Sequence, residues 1–307
     1  MTQRADNVLS QPPSKMAKFS LNVIARQLLR LTKRNPNMMA GIAIVVFMSL
    51  VAILAPLLFT GDPKHVDPRN RFIPPTISGS PSVAHWFGSD NIGRDVWTRT
   101  VYGTRVSMIV AAAVSSISIS IAVVIGLVAG YYRVADGPIM RFMDGLMSIP
   151  SVLLAMALMA LLGGSVQNVI IALTVVETPR AVRIVRASVL TLREQMFVDA
   201  ARALGAQPVR ILALHVFPNL VVPLIVHATY VAASAVLVEA YLSFLGAGPP
   251  PDVPSWGNIM AEGRNYITRA VWIIFFPGIF LTLTVLGINL AGDGLRDILD
   301  PKLKRRM

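Results

Sequence analysis

Long stretches of this chain carry no charged side chain. Met38–Phe59, Val106–Tyr132, Gly145–Val176, Asn219–Val238 and Ala270–Gly292 each pass without a Lys, Arg, Asp or Glu. A hydrocarbon core about 30 Å thick needs about 20 helical residues. Lipid offers backbone groups no partner, so only helices or closed barrels cross it. Gly145–Val176 is too long for one crossing and breaks at Gly163-Gly164-Ser165. It reads as one span plus the start of another, which meets charge early at Glu177, Pro179 and Arg180. The pattern predicts an all-α integral membrane protein with six transmembrane helices, near 38–60, 106–131, 141–162, 167–184, 217–240 and 270–291.

Composition agrees. Hydrophobic residues make up 54% and charged residues only 14%, against about 25% charged in soluble domains. A net charge of +12 raises the possibility of a nucleic-acid partner, but the charge is distributed by compartment. With Arg141 and Arg180 counted inside, the extracytoplasmic loops hold only Lys64, Arg69, Arg71, Arg94, Arg99, Arg105, Arg264 and Arg269 of the 28 Lys and Arg. This positive-inside bias predicts the N-terminus and C-terminus in the cytoplasm and makes nucleic-acid binding unnecessary. The first apolar run begins too late for an ordinary secretory signal and reads as a retained anchor. There is no cysteine, which excludes disulfides and thiolate chemistry within the chain.

Residues 1–37 read as a cytoplasmic tail. Phe19, Val23, Ile24, Leu28 and Leu31 recur at helical spacing with Arg26, Arg30, Lys33 and Arg34 between them. Such a helix can lie on the anionic lipid of the inner leaflet; the plainer reading is a solvated helix leading into the first span. The other divisions are an anchor span with an extracytoplasmic segment over 38–101, a core over 102–293 containing a cytoplasmic loop at 193–218, and a basic tail over 294–307.

That loop carries Asp199-Ala200-Ala201-Arg202-Ala203-Leu204-Gly205, with Pro218 further on. Arg193–Leu204 has helical composition, with Met196, Ala200, Ala203 and Leu204 near one face. Gly205 suits the position just past a helix end, where a left-handed backbone is needed. Pro208 suits the first position of a second short helix, over Pro208–Leu214. The expectation is helix, tight bend, helix, with Asp199 near the middle of the first helix and Ala200 and Ala201 both permitting close approach by a partner.

Three segments together resemble the second permease subunit of dipeptide and oligopeptide ABC importers, a family related to nickel and glutathione importers. One is His85-Trp86-Phe87-Gly88-Ser89-Asp90-Asn91-Ile92-Gly93-Arg94-Asp95-Val96, with Tyr102-Gly103-Thr104-Arg105-Val106-Ser107. The second is Asp199–Pro218, the E/D-A-A-x3-G coupling pattern, with His215 where isoleucine is usual. The third runs from Glu239-Ala240-Tyr241-Leu242-Ser243-Phe244-Leu245-Gly246 through Pro254-Ser255-Trp256-Gly257-Asn258 and Gly292-Asp293-Gly294-Leu295-Arg296-Asp297 to Asp300-Pro301. The resemblance spans about residues 35 to 301. Departures are Asp199 in place of glutamate, and Glu177-Thr178-Pro179 where relatives often carry an aromatic.

The resemblance implies a type I ABC importer permease core with an additional N-terminal span, in a bacterial cytoplasmic (inner) membrane. It implies a second homologous permease subunit, two ATPase subunits and an extracytoplasmic substrate-binding protein as partners. It also implies import of di- or oligopeptides or a related small solute, with Asp199, Ala200, Ala201, Gly205, Pro208, His215 and Pro218 coupling transport to the ATPases. No lysine follows a glycine, so the chain has no Gly-x4-Gly-Lys phosphate loop. It is expected to be no enzyme and to hold no cofactor, ATP being bound by the partner subunits. The competing reading is a secondary transporter with ion coupling through intramembrane His227 and Glu239, its buried candidates. A membrane hydrolase lacks a Gly-x-Ser-x-Gly elbow. His65, His85, Asp62, Asp67, Asp90 and Asp95 fit no rigid metal template, and the aspartates read as turn and cap residues. Trp86, Trp97, Trp256 and Trp272 read as interfacial anchors, Trp256 also as a possible contact for a binding protein.

Overall fold

The computed structural model describes residues 35–57, 61–76 and 85–299. The amphipathic segment at 19–34 and the chain end containing Asp300-Pro301 lie outside the described residues. The helices are α1 (Pro36–Leu54), α2 (Val96–Tyr131), α3 (Arg133–Met147), α4 (Ser151–Leu162), α5 (Val166–Leu192), α6 (Met196–Ala203), α7 (Pro208–Ile211), α8 (Phe217–Phe244), α9 (Trp256–Gly263) and α10 (Trp272–Leu299). No strand lies among them; the one β contact among the described residues is the isolated bridge of Ser89 to Asp95.

Among the described residues, four helical stretches are long and apolar enough to cross a membrane: Pro36–Leu57, Val96–Tyr131, Pro208–Phe244 and Trp272–Ile298. A fifth is possible only if α3 and α4 count as one, and they meet at 87°. This differs from the straight span expected near 141–162. Pro150 lacks an N–H and disfavours helical backbone at Ile149, so the chain turns there. The expected fourth span also differs. The helix does not stop near Arg180 but runs on to Leu192, carrying Glu177, Arg180, Arg183 and Arg186 in its interior. Those charges keep α5 out of the apolar set. The divisions drawn at residues 101 and 293 fall inside α2 and α10.

The centre of the fold is the contact of α2 with α5. Gly126 faces Val185 and Gly130 faces Val189; a β-carbon at either glycine would stand 2.6 Å from the valine Cβ. Two helices approach this closely only through residues without side chains. α8 packs on α2 and α5, and α10 packs on α8. α1 meets α10 where Gly41 abuts the backbone of Gly287 and Ala291, and Met38 lies against Gly294.

The segments between α1 and α2 and between α8 and α10 are built on charge and caps. Asp95 caps α2 by accepting the Thr98 amide at 2.7 Å. Asp67 and Asp62 accept the Arg69 and Lys64 amides, and Asp90 accepts those of Ile92 and Arg94. These are the turn and cap roles their spacing suggested. Asp90 also joins Arg94, Arg99 and Glu262 in a buried ion cluster that pins this loop to α9. Trp256 is fully buried and donates its indole N–H to the Thr100 carbonyl at 3.1 Å. It therefore neither anchors at an interface nor offers itself to a binding protein, because Gly103 leaves room for its ring against α2.

Gly126→Leu should force α2 off α5. We expect a loss of about 1–3 kcal/mol from overpacking, read as a lower unfolding temperature of the detergent-solubilised protein. An unchanged unfolding temperature would show that the helices do not depend on this contact.

Candidate functional site

The loop at 193–218 folds as a hairpin. Its first helix is shorter than composition suggested: Arg193 caps α5, and α6 begins only at Met196. Asp199 therefore lies in the first turn, where the helix dipole favours an anion. It pairs with Arg202 at 3.1 Å on the exposed surface. At the other end the Gly205 amide bonds the Arg202 carbonyl and the Ala206 amide bonds Ala201. With Gly205 at φ +81°, this is a Schellman cap. Nothing lies within 4 Å of a β-carbon built at Gly205, so its backbone angle alone demands glycine.

The two alanines of the motif separate. Ala201 is buried with Val198, Ile211 and Val216, against Val182, Val185 and Val189 of α5. Ala200 is exposed. Only Ala200 is open to a partner, because successive helical positions point about 100° apart. Met196 and Leu204 stand out most, at 88% and 87% exposed, with Val209 at 70% and Phe197 partly covered.

Pro208 takes the expected first position of a helix, after Gln207. That helix does not end near Leu214. It passes through a π turn at Leu212–Val216 into α8, so Pro208–Phe244 is one helical stretch. The Phe217 amide reaches five residues back to Leu212. Pro218 has no amide hydrogen to give, and the wide turn absorbs the mismatch. His215 sits half-buried in this turn, its carbonyl accepting the Asn219 side-chain amide at 2.7 Å. Asp199, Ala200, Gly205 and Pro208 thus share one projecting surface, while His215 and Pro218 belong to the joint behind it.

The hairpin is fixed to the helices above it. Arg193 donates to the Gly130 carbonyl at 3.0 Å. Tyr131, Arg133, Arg193, Glu194, Asp199 and Arg202 line a polar cleft of about 400 Å³. Arg186 grips Asp136 of α3 with two hydrogen bonds of 2.6 Å, and Arg183 holds Asp144 at 2.6 Å.

Higher in α8, Glu239 is fully buried. It accepts the Ser243 hydroxyl at 2.8 Å and that of Ser107 at 3.5 Å, so it lies in the α2–α8 contact. His227 is half-buried, stacks on Tyr230 at 5.9 Å, and its Nε2 has no hydrogen-bond partner among the described residues. Glu177 is a third buried ionisable residue, absent from the candidates that the sequence suggested. It is 2% exposed and accepts the Ser234 hydroxyl at 2.8 Å, while its other oxygen has no partner among the described residues. Placing it at the end of a span hid it; the helical pattern continuing to Leu192 was the signal.

The described residues form helices, four stretches of them long and apolar enough to cross a membrane, with a helical hairpin at 193–218, and comparison with known proteins makes the class specific. Residues 122–305 match the family of binding-protein-dependent transport system inner membrane components, and the chain belongs to that family. Separately, residues 25–75 match the N-terminal transmembrane domain of oligopeptide transport permease C. The chain is 45% identical to a Brucella abortus protein provisionally named as a peptide transport system permease, over 99% of both chains. It is 44% identical to a Sinorhizobium fredii protein provisionally named as a peptide ABC transporter permease, over 94% of this chain and 97% of that one. It is 42% identical to a dipeptide transport system permease protein of Alkalihalophilus pseudofirmus, over 91% and 90%. The chain is a multi-pass permease subunit of an ABC importer in the inner membrane; ion-coupled secondary transport finds no support.

The Arg186–Asp136 clamp gives a pH-dependent expectation. The Arg186 hydrogen bonds hold the Asp136 carboxyl below its usual range. A carboxyl lowered by folding contributes stability that is complete above the unfolded pKa and is lost as pH falls through the folded one. Asp136→Asn should therefore cost up to about 1 kcal/mol at neutral pH, seen as a lower unfolding temperature. The difference from the parent should close in acid, below the ordinary carboxylate range near about 4. A difference that persists there would contradict the clamp.

Proposed function

We propose that the chain is one permease of a peptide importer, crossing the membrane six times with both ends in the cytoplasm. The spans are α1, the bent pair α3–α4 from about residue 141 onward, α2, α5, α8 and α10, which leaves Asp136 outside the membrane. The last five form the transport core, and α1 is the additional N-terminal span packed on α10. α5 counts as a span despite its charges because its ends face opposite ways. Gly164 adjoins Gly248 of the outer loop, and Arg193 leads into the hairpin. The peptide cargo is inferred from what the relatives are named for carrying.

In this reading the hairpin docks into a groove of an ATPase subunit. The observation that carries it is the exposure of Met196, Leu204 and Val209 around Ala200. Large apolar side chains gathered on a water-facing loop mark a partner surface. ATP, bound by two partner ATPases, closes their dimer and moves the hairpin of each permease. Here α6 is packed to α5 through Val198 and Ala201, and α7 runs into α8 without a break. The push passes into two spans as a lever, opening the pathway outward to a binding protein; hydrolysis restores the inward state. Each state must be favoured by its own contacts for ATP to drive the exchange.

Gly205→Val tests the lever. A β-branched residue at that left-handed angle should cost about 1–2 kcal/mol locally and disorder the bend, leaving the spans inserted. We expect normal membrane abundance, loss of ATPase co-purification, and loss of ATP-driven peptide uptake. Gly205→Asn, which tolerates this backbone, should keep most of both. Full uptake and normal co-purification by Gly205→Val would show that the bend is not the coupling element.

A further inference from the structure

Arg180 lies on α5 between Glu177, which turns toward α8, and Arg183 and Arg186, which turn to the aspartates of α3. It is exposed on this chain and has no hydrogen bond or ion pair among the described residues. Its depth follows from helix register. Gly126 abuts Val185 and Gly130 abuts Val189, so α2 and α5 run side by side in one direction. The same register sets Ser118–Ile121 level with Glu177–Arg180. Those α2 residues are the middle of the uncharged run between Arg105 and Arg133. Along α5, Arg180 stands about 14 Å from the level of Gly130 and about 21 Å from the outer end at Val166, at 1.5 Å per residue. A three-methylene stem reaches neither surface.

A guanidinium at that depth costs at least about 2.5–3.5 kcal/mol if it faces lipid. Intramembrane charges therefore face protein or a water-filled cavity. Glu177, three residues back, is near enough in a helix to neutralise Arg180, but it takes the Ser234 hydroxyl and forms no ion pair with it. The positive charge is thus left unpaired among the described residues, which suits a contact made and broken during each cycle.

We propose that Arg180 lines the translocation pathway and pairs there with a carboxylate of the passing peptide. The pairing rests on the peptide-importer reading above; the pathway position does not. Guanidinium and carboxylate match as a two-point, charge-assisted pair, and an unmodified peptide carries a carboxylate at its C-terminus.

The chain has no cysteine, so Arg180→Cys introduces the only thiol in this subunit. In the complete transporter in liposomes, it should react with a membrane-impermeant cationic methanethiosulfonate, because reaction needs the thiolate and hence water. The rate should change several-fold between ATP-bound and nucleotide-free states. Ala181→Cys, at a buried position one residue on, should stay unreactive. No reaction of Arg180→Cys in any state overturns the pathway position. For the charge, Arg180→Gln should slow uptake of peptides with a free C-terminal carboxylate by about tenfold, one charge-assisted contact. It should leave uptake of the C-terminal amides unchanged, and Arg180→Lys should retain most uptake of the free acids. Equal loss for acids and amides, or separation of the two permeases on purification, assigns the charge to the subunit interface and overturns the cargo pairing. Absence of any peptide uptake by the parent transporter sinks the importer reading and the pairing with it, while the labelling still reports whether Arg180 faces water.

Discussion

The contact of Gly126 and Gly130 with Val185 and Val189 holds the two helices on which the other parts are mounted. In lipid there is no hydrophobic drive to pair apolar helices, so close packing must supply the attraction. The glycines let α5 lie against α2 along much of its length, and α8 closes over both. The buried face of the hairpin, Val198 and Ala201, is a continuation of the same apolar cluster. A displacement of α6 therefore meets packed side chains rather than a flexible linker. The Arg193 bond to the Gly130 carbonyl adds a polar tie at the same level.

α5 also shows how a membrane protein accommodates charge. Arg186 and Arg183 are paired with Asp136 and Asp144 on α3. Glu177 is buried with one oxygen on Ser234. Each arrangement gives a charged side chain a polar partner. The bend at Ile149-Pro150 matters here, because α3, set at 87° to α4, presents its aspartates to the arginines of α5.

Features governed by local chemistry were legible in the sequence. The uncharged runs located α1, α2, α8 and α10. Gly205 and Pro208 were placed correctly, because a left-handed cap and a helix start without an amide donor are decided by single residues. The turn and cap roles of Asp62, Asp67, Asp90 and Asp95 are local for the same reason. What was not legible depends on tertiary partners. Charge at Glu177 and Arg180 looked like the end of a span; only Ser234 and the packing against α2 and α8 explain why the helix continues. Ala200 and Ala201 are equivalent by composition and differ only because α5 lies on one side of α6. Trp256 reads as an interfacial anchor until Gly103 is seen to make room for its ring. The π turn is a compromise between Pro218 and a helix that packing requires to continue.

The central claim is that α6 is the face that meets the ATPase. It is tested most directly by placing a single cysteine at Leu204, 87% exposed beside the bend, in this cysteine-free subunit and adding a short thiol-to-amine cross-linker to the assembled transporter. A covalent adduct of this chain with an ATPase subunit should form, with a yield that changes between nucleotide-free and ATP-bound states. An adduct with no ATPase subunit in either state, from a complex that contains one, would contradict it.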